Sequence, residues 1–240
     1  MVRGVVKHAG LNVCCGLLLE GHATDELWTE ALSWLDGFRD IKSQHYPDWV
    51  SLRKYPALLC LYAGGVAAIS SSNYSTLEAL LYRPEIAPKS YEVSRYPLIL
   101  STHLEILSPS LSKALQPGTI PGAVLPLRIR NWESMWVEVR SNFRSADEFD
   151  QAVLRFEYMF GLAHTDLALL RGDVSWCPRA LLPYANHGTA AEFLIKKVDA
   201  EITQNGPNWS PLLAGMFGGS VDRLIAAKER FDPRASLWHQ

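Results

Sequence analysis

An all-α, mainly helical fold is expected of this chain of 240 residues, and three features carry the expectation. A serine-led helix start at Ser145 opens a long stretch whose apolar residues recur every three or four positions. The stretch between Tyr55 and Pro84 reads as two helices joined by a tight turn. Proline and glycine gather in three connectors, Pro84 to Pro97, Pro117 to Pro126 and Gly172 to Gly188, which separate helical blocks without marking a domain boundary. Residues 1–240 are therefore expected to form one helical domain of about eight to ten helices, judged from ordinary helix and loop lengths.

In chain order, Thr24, Asp25 and Glu26 start a helix whose apolar side is Leu27, Trp28, Ala31, Trp34, Leu35 and Phe38. Pro56 opens the first arm of a helical hairpin, Ser70-Ser71-Ser72-Asn73 breaks it, and Leu77, Leu80 and Leu81 continue on the second arm. Gly64 and Gly65 fall inside the first arm, where each costs about 1 kcal/mol relative to alanine. Glycines are kept in such places when they let a neighbouring helix come close. Between Val124 and Val139, Leu125, Leu127 and Ile129 alternate like a strand. One short β-hairpin near 124–139 would be the exception to the helical pattern, and a helix after Pro126 is the favoured alternative.

The longest helix follows. Ser145-Ala-Asp-Glu148 has the capping-box spacing, in which serine and glutamate each satisfy an open helix-start N–H. Asp147, Glu148 and Asp150 put negative charge where the helix dipole is positive. Phe149, Val153, Phe156, Phe160, Ala163, Leu167 and Leu170 then form one stripe, and Gly172 closes the helix. Thr189 can cap a helix carrying Leu194, Ile195, Val198 and Ile202, ended by Asn205-Gly206. Ser210-Pro211 starts another, with proline in the first turn where its missing N–H costs nothing. Ser220 can cap a last helix through Val221, Leu224 and Ile225, before Pro233.

Composition narrows the function. The chain is 48% hydrophobic and 20% charged, as globular domains are. At this length it buries roughly 70–75% of its unfolded surface and needs no disulfide or metal to fold. A net charge of −2 lacks the basic excess that phosphate binding demands, so nucleic acid is not an expected partner. Local basic pairs, Arg128 with Arg130 and Lys196 with Lys197, read as solvated faces. Arg3 and Lys7 precede the apolar stretch from Leu11 to Leu19, but Asn12, Cys14, Cys15 and Gly16 interrupt it and no cleavage site follows. No run is long enough to span a bilayer, and a cytoplasmic location is expected. The four cysteines form no Cys-x-x-Cys pair, so no metal site and no redox site is signalled.

Catalytic signatures are missing: no phosphate loop, dinucleotide fingerprint, serine elbow or paired zinc histidines. No cofactor is implied. Glu157, between Phe156 and Tyr158, is a carboxylate that burial would withdraw from water, and a salt bridge to a neighbouring helix is its plainer role. His164 lies within the same helix. Because it is two residues from Asp166, the two side chains point apart and cannot readily share a proton. Gly215-Met216-Phe217-Gly218-Gly219-Ser220 is the most distinctive short string. Consecutive backbone N–H groups before a helix can hold an anion. The alternative is structural: Gly218-Gly219 turns the chain sharply and Phe217 packs inward. With no lysine or arginine expected beside the loop, the structural reading is favoured. The eight tryptophans are dispersed, as core and interface anchors are.

Residues Tyr55 to Ile69, followed by Asn73, Tyr74 and Leu77, resemble one degenerate tetratricopeptide-like hairpin. Gly65, Tyr74, Leu77 and Leu81 fall at that repeat's spacing, although its proline register and small alanines are lost and no second copy follows. Together with Phe156-Glu157-Tyr158 and the run Leu212 to Gly219, the segment resembles the C-terminal helical region of large bacterial multidomain proteins, SIR2-like antiphage defence proteins among them. The resemblance implies a helical sensor or scaffold working with a separate effector subunit, and it transfers no catalytic residue. The expected function is a non-catalytic protein-interaction or regulatory module, with another protein as partner, self-association open and no membrane. The alternative is an enzyme whose site includes Glu157, His164, Gly215, Phe217, Gly218 and Gly219.

Overall fold

A computed structural model describes residues 58, 61–86, 96–100, 143–172 and 188–231. Over these residues the fold is all-α, as the apolar spacing predicts. Helix α1 covers residues 61–70, with Leu58 also helical. It ends in a turn at Ser71–Asn73, within the stretch where the sequence predicts the break, and no glycine is present. The Asn73 N–H donates to the Ala68 carbonyl at 2.8 Å and the Ser72 N–H to the Ile69 carbonyl at 3.1 Å. This paired closure needs a left-handed residue, and Ser72, at φ 53°, supplies it. Helix α2, Tyr74–Tyr82, starts at once, with the Asn73 side chain accepting from the Thr76 N–H. The predicted helical hairpin is present. Beyond it, strands β1 (Glu85–Ile86) and β2 (Tyr96–Pro97) make a two-residue antiparallel ladder, continued by a 3-10 turn over Leu98–Leu100.

Helix α3, Ala146–Leu170, is the axis of the structure. Ser145 caps it as predicted, its Oγ accepting from the Glu148 N–H at 3.2 Å. The Glu148 carboxylate reaches back one residue further than a capping box requires and accepts from the Arg144 N–H at 2.8 Å. Phe143 stacks edge-on against Phe149, fixing the angle at which the chain enters. From residue 156 to 166 every position of α3 is buried, so this is not the one-sided stripe that the spacing predicts. Leu170, read as the last residue of that stripe, is 59% exposed.

Helix α4, Gly188–Asn205, ends where the Asn205-Gly206 signal predicts, and a 3-10 turn, Gly206–Asn208, follows. Helix α5, Ser210–Leu213, is a single turn with proline inside it; Trp209 occupies the cap position and is itself buried. Helix α6, Val221–Arg230, is capped by Ser220 and turns Leu224 and Ala227 inward, while Ile225, expected on that side, is largely exposed.

The core forms around α3. Phe156 is fully buried, packs edge-on against Tyr62 with ring centroids 5.0 Å apart, and neighbours Phe160. Burying one such side chain contributes about 1.5–3 kcal/mol. Gly65 makes the contact possible, because a Cβ there would stand 1.9 Å from the Phe156 ring. The expectation that a mid-helix glycine admits a neighbouring helix is met at this residue. On another side Phe231 lies over Gly161 and against Tyr158, closing α6 onto α3.

The expected helix from Thr24, the strand-or-helix segment 124–139 and seven of the eight tryptophans lie outside the described residues.

Candidate functional site

A helix buried on all sides has no solvent for its polar residues, so each must find a partner within the protein. α3 carries Arg155, Glu157, His164, Thr165 and Asp166 in or beside its buried stretch. At about 100° per residue, Arg155 and Asp166, eleven apart, leave α3 on one face, three turns from each other. Glu157 and His164, seven apart, leave it on the opposite face.

On the second face the Tyr62 hydroxyl donates to Glu157 at 3.0 Å, with both side chains about 1% exposed. Burial, then the adjacent carboxylate, hold the Tyr62 phenol well above its usual pKa, so it remains a donor. Among the described residues, the partner of Glu157 is a phenol from α1. His164, at 3% exposure, packs its ring 6.4 Å from that of Phe160 and belongs to the core.

On the first face Asp166 is the centre of a polar knot. Arg223, from α6, grips it with two guanidinium nitrogens, Nε at 3.0 Å and Nη2 at 2.6 Å. The paired geometry makes this a strong charge-assisted contact. The Tyr82 hydroxyl, from the end of α2, donates to the same carboxylate at 3.1 Å and accepts the Phe217 N–H at 3.2 Å. Burial and the negative charge of Asp166 raise the Tyr82 phenol far above its usual pKa. Thus α2, α3, α6 and the glycine loop are joined through one carboxylate.

The loop is a left-handed turn, not a helix. Gly215 has φ 98°; Phe217 and Gly218 adopt φ 55°, ψ 25° and φ 61°, ψ 24°, and Gly219 has φ 70°. For a bulky residue such as Phe217 this conformation is rare and costs about 1–3 kcal/mol. Full burial of its ring, edge-on to Tyr82, offsets that cost. A side chain at Gly218 would be strained by its φ of 61° and would push Arg223 Nη1, 2.3 Å from a Cβ there, out of its place.

This corrects one expectation: an arginine does stand beside the loop. Arg223 folds back from the first turn of the following helix, already committed to Asp166. Three of the loop's own N–H groups are also engaged, Gly215 to the Leu212 carbonyl, Phe217 to Tyr82 and Ser220 to the Phe217 carbonyl. The structural reading of the loop, with Phe217 packed inward, agrees with this arrangement. Glu157 and the loop are not brought together: they attach to opposite faces of α3, separated by nine residues or about 13 Å along its axis.

A second knot links α3 to α4. Arg155 forms a two-pronged ion pair with Glu201 at 2.9 and 2.5 Å and donates to the Tyr74 hydroxyl at 3.0 Å. The Arg155 guanidinium, helped by the Trp209 indole, holds the Glu201 carboxyl below the usual carboxylate range. Sequence reasoning passed over Tyr62, Tyr82, Arg155 and Arg223. One signal was available for the last: an arginine in a helix's first turn opposes the helix dipole and needs a local anion.

Among the described residues no cluster of histidine, cysteine and carboxylate side chains is placed to hold a metal ion. No helix there is long and apolar enough to cross a membrane. The chain matches no protein-family model, no curated protein and no solved structure.

Proposed function

We propose that this chain is a helical protein-interaction or regulatory module, without catalysis of its own, acting on another protein in the bacterial cytoplasm. The observation that carries the reading is the use made of its polar side chains. Glu157, Asp166, Arg223, Arg155 and Glu201 are bonded to one another or to tyrosines of the fold. Side chains used in this way position helices. Recognition then rests on the surface, where Phe193 and Leu213 are 68% and 70% exposed. The tetratricopeptide-like cadence of the hairpin and the resemblance to helical regions of antiphage defence proteins favour a separate effector subunit as the partner.

The test is affinity capture of the tagged chain from its host lysate, with intact-mass analysis, beside a Phe193→Asp, Leu213→Asp variant. A stoichiometric protein retained by the natural sequence and lost by the variant supports the proposal. Elution alone, or with a small molecule bound, overturns it and returns attention to an enzyme site at Glu157.

A further inference from the structure

Helix α6, like α4, is held by a few buried residues and by ion pairs. Of its ten residues only Leu224 and Ala227 are buried, and Phe231, just beyond, adds the ring over Gly161. Val221 packs half-buried against the core, and two ion pairs add to these contacts: Arg223 to Asp166, and Lys228 to Asp199 of α4. Directly before it lies the left-handed turn, with Gly215, Gly218 and Gly219 all at positive φ. Such a turn lets a rigid segment swing, because its glycines tolerate large changes of φ and ψ. Phe217 stands inside the turn in a conformation that its side chain disfavours. It is held there by its buried ring and by the bond from its N–H to Tyr82.

These features form a hinge, a strained element and a catch. We infer that residues 215–231 are a hinged clasp on α3, latched by the Tyr82–Asp166–Arg223 knot. The clasp opens as one unit while the α1–α2–α3 core stays folded. Opening relaxes Phe217, frees Arg223 and uncovers the surface of α3 around Tyr158, Gly161 and Asp166. The latch couples distant parts of the chain, since Tyr82 reports on the end of the hairpin and Arg223 on α6. Anything that shifts α2 loosens the clasp. The inference holds whether or not the chain serves as an interaction module, because it concerns the order in which the structure opens.

Hydrogen–deuterium exchange of the full chain, read by mass spectrometry, tests it. In the natural sequence, amides of 221–230 should exchange through an opening that leaves 156–166 protected. Arg223→Gln should speed exchange of 216–231 by about ten- to a hundredfold, and Tyr82→Phe, which removes one hydroxyl, by about tenfold, as expected for a lost charged or neutral buried hydrogen bond. Exchange in 156–166 should change much less in both variants. If 221–230 and 156–166 open together in the natural sequence, or if the variants accelerate both segments equally, there is no clasp. Should Arg223→Gln fail to fold, Tyr82→Phe and the natural sequence decide the question by the same criteria.

Discussion

Two groups of helices pack on α3, and their seams are built differently. The hairpin α1–α2 meets it through close apolar contact, Gly65 under the Phe156 ring, and through three tyrosines. Tyr62 bonds Glu157, Tyr74 accepts from Arg155 and Tyr82 bonds Asp166. The pair α4 and α6 adds charge to its apolar contacts, which include Phe231 over Gly161. Arg155–Glu201 joins α3 to α4, Arg223–Asp166 joins α3 to α6, and Lys228–Asp199 joins α4 to α6, one ion pair for each pair of helices. A seam of shape and phenols tolerates changes of salt and acidity but not of volume. A seam of ion pairs tolerates changes of volume more readily and responds to its solvent.

The sharpest way to break the contrast is at Gly65. Alanine there gains about 1 kcal/mol of helix propensity. Its Cβ would also displace the Phe156 ring, and overpacking of this kind costs about 1–3 kcal/mol or more. The clash should win, lowering stability by about 2 kcal/mol in urea unfolding, and Phe156→Leu in the same chain should recover part of the loss. A Gly65→Ala variant more stable than the natural sequence would show that the hairpin seam is looser than described.

Acid should act on the other seam. The pKa of Glu201 is lowered from 4.5 by the hydrogen bond from Arg155, so the folded state binds the proton less readily than the unfolded one. Its contribution is complete above about pH 5 and is lost as pH falls through the lowered value. Glu78, on α2, opposes it: burial raises its pKa, so protonation there relieves the folded state. Urea midpoints measured between pH 6 and pH 3 should therefore fall less steeply for Glu201→Gln than for the natural sequence. Parallel slopes would remove Glu201 from the account.

The smallest effect belongs to Lys228–Asp199, whose side chains are 27% and 42% exposed. Lys228→Met should cost less than about 1 kcal/mol, and the difference should vanish in 1 M salt. A large, salt-independent loss would mean that the lysine stem packs as an apolar side chain.

Local signals in the sequence were read correctly where the physics is local. Ser145 and Ser220 cap the helices they were expected to cap, Asn205-Gly206 closes α4, and Gly65 admits a neighbour. Legibility failed where partners are far apart in sequence. The burial of α3 on all sides hid behind an apolar stripe, because the polar residues outside that stripe, Glu157, His164 and Asp166, carry no sign of where their partners lie. Tyr62 and Glu157 are separated by 95 residues, and Tyr82 and Asp166 by 84. No spacing rule connects them. The loop was recognised as unusual, but its arginine was missed because the backbone reverses between Gly218 and Arg223.

Those separations also set a schedule for the growing chain. Ribosomes add about 5–20 residues per second, so Tyr62 is made roughly 5–20 seconds before Glu157. Over that interval the apolar faces of α1 and α2 have no α3 to cover them, and any bond they form is provisional. The hairpin therefore waits for α3 to cover it, and the core closes only when Trp209, Phe217 and Phe231 have followed.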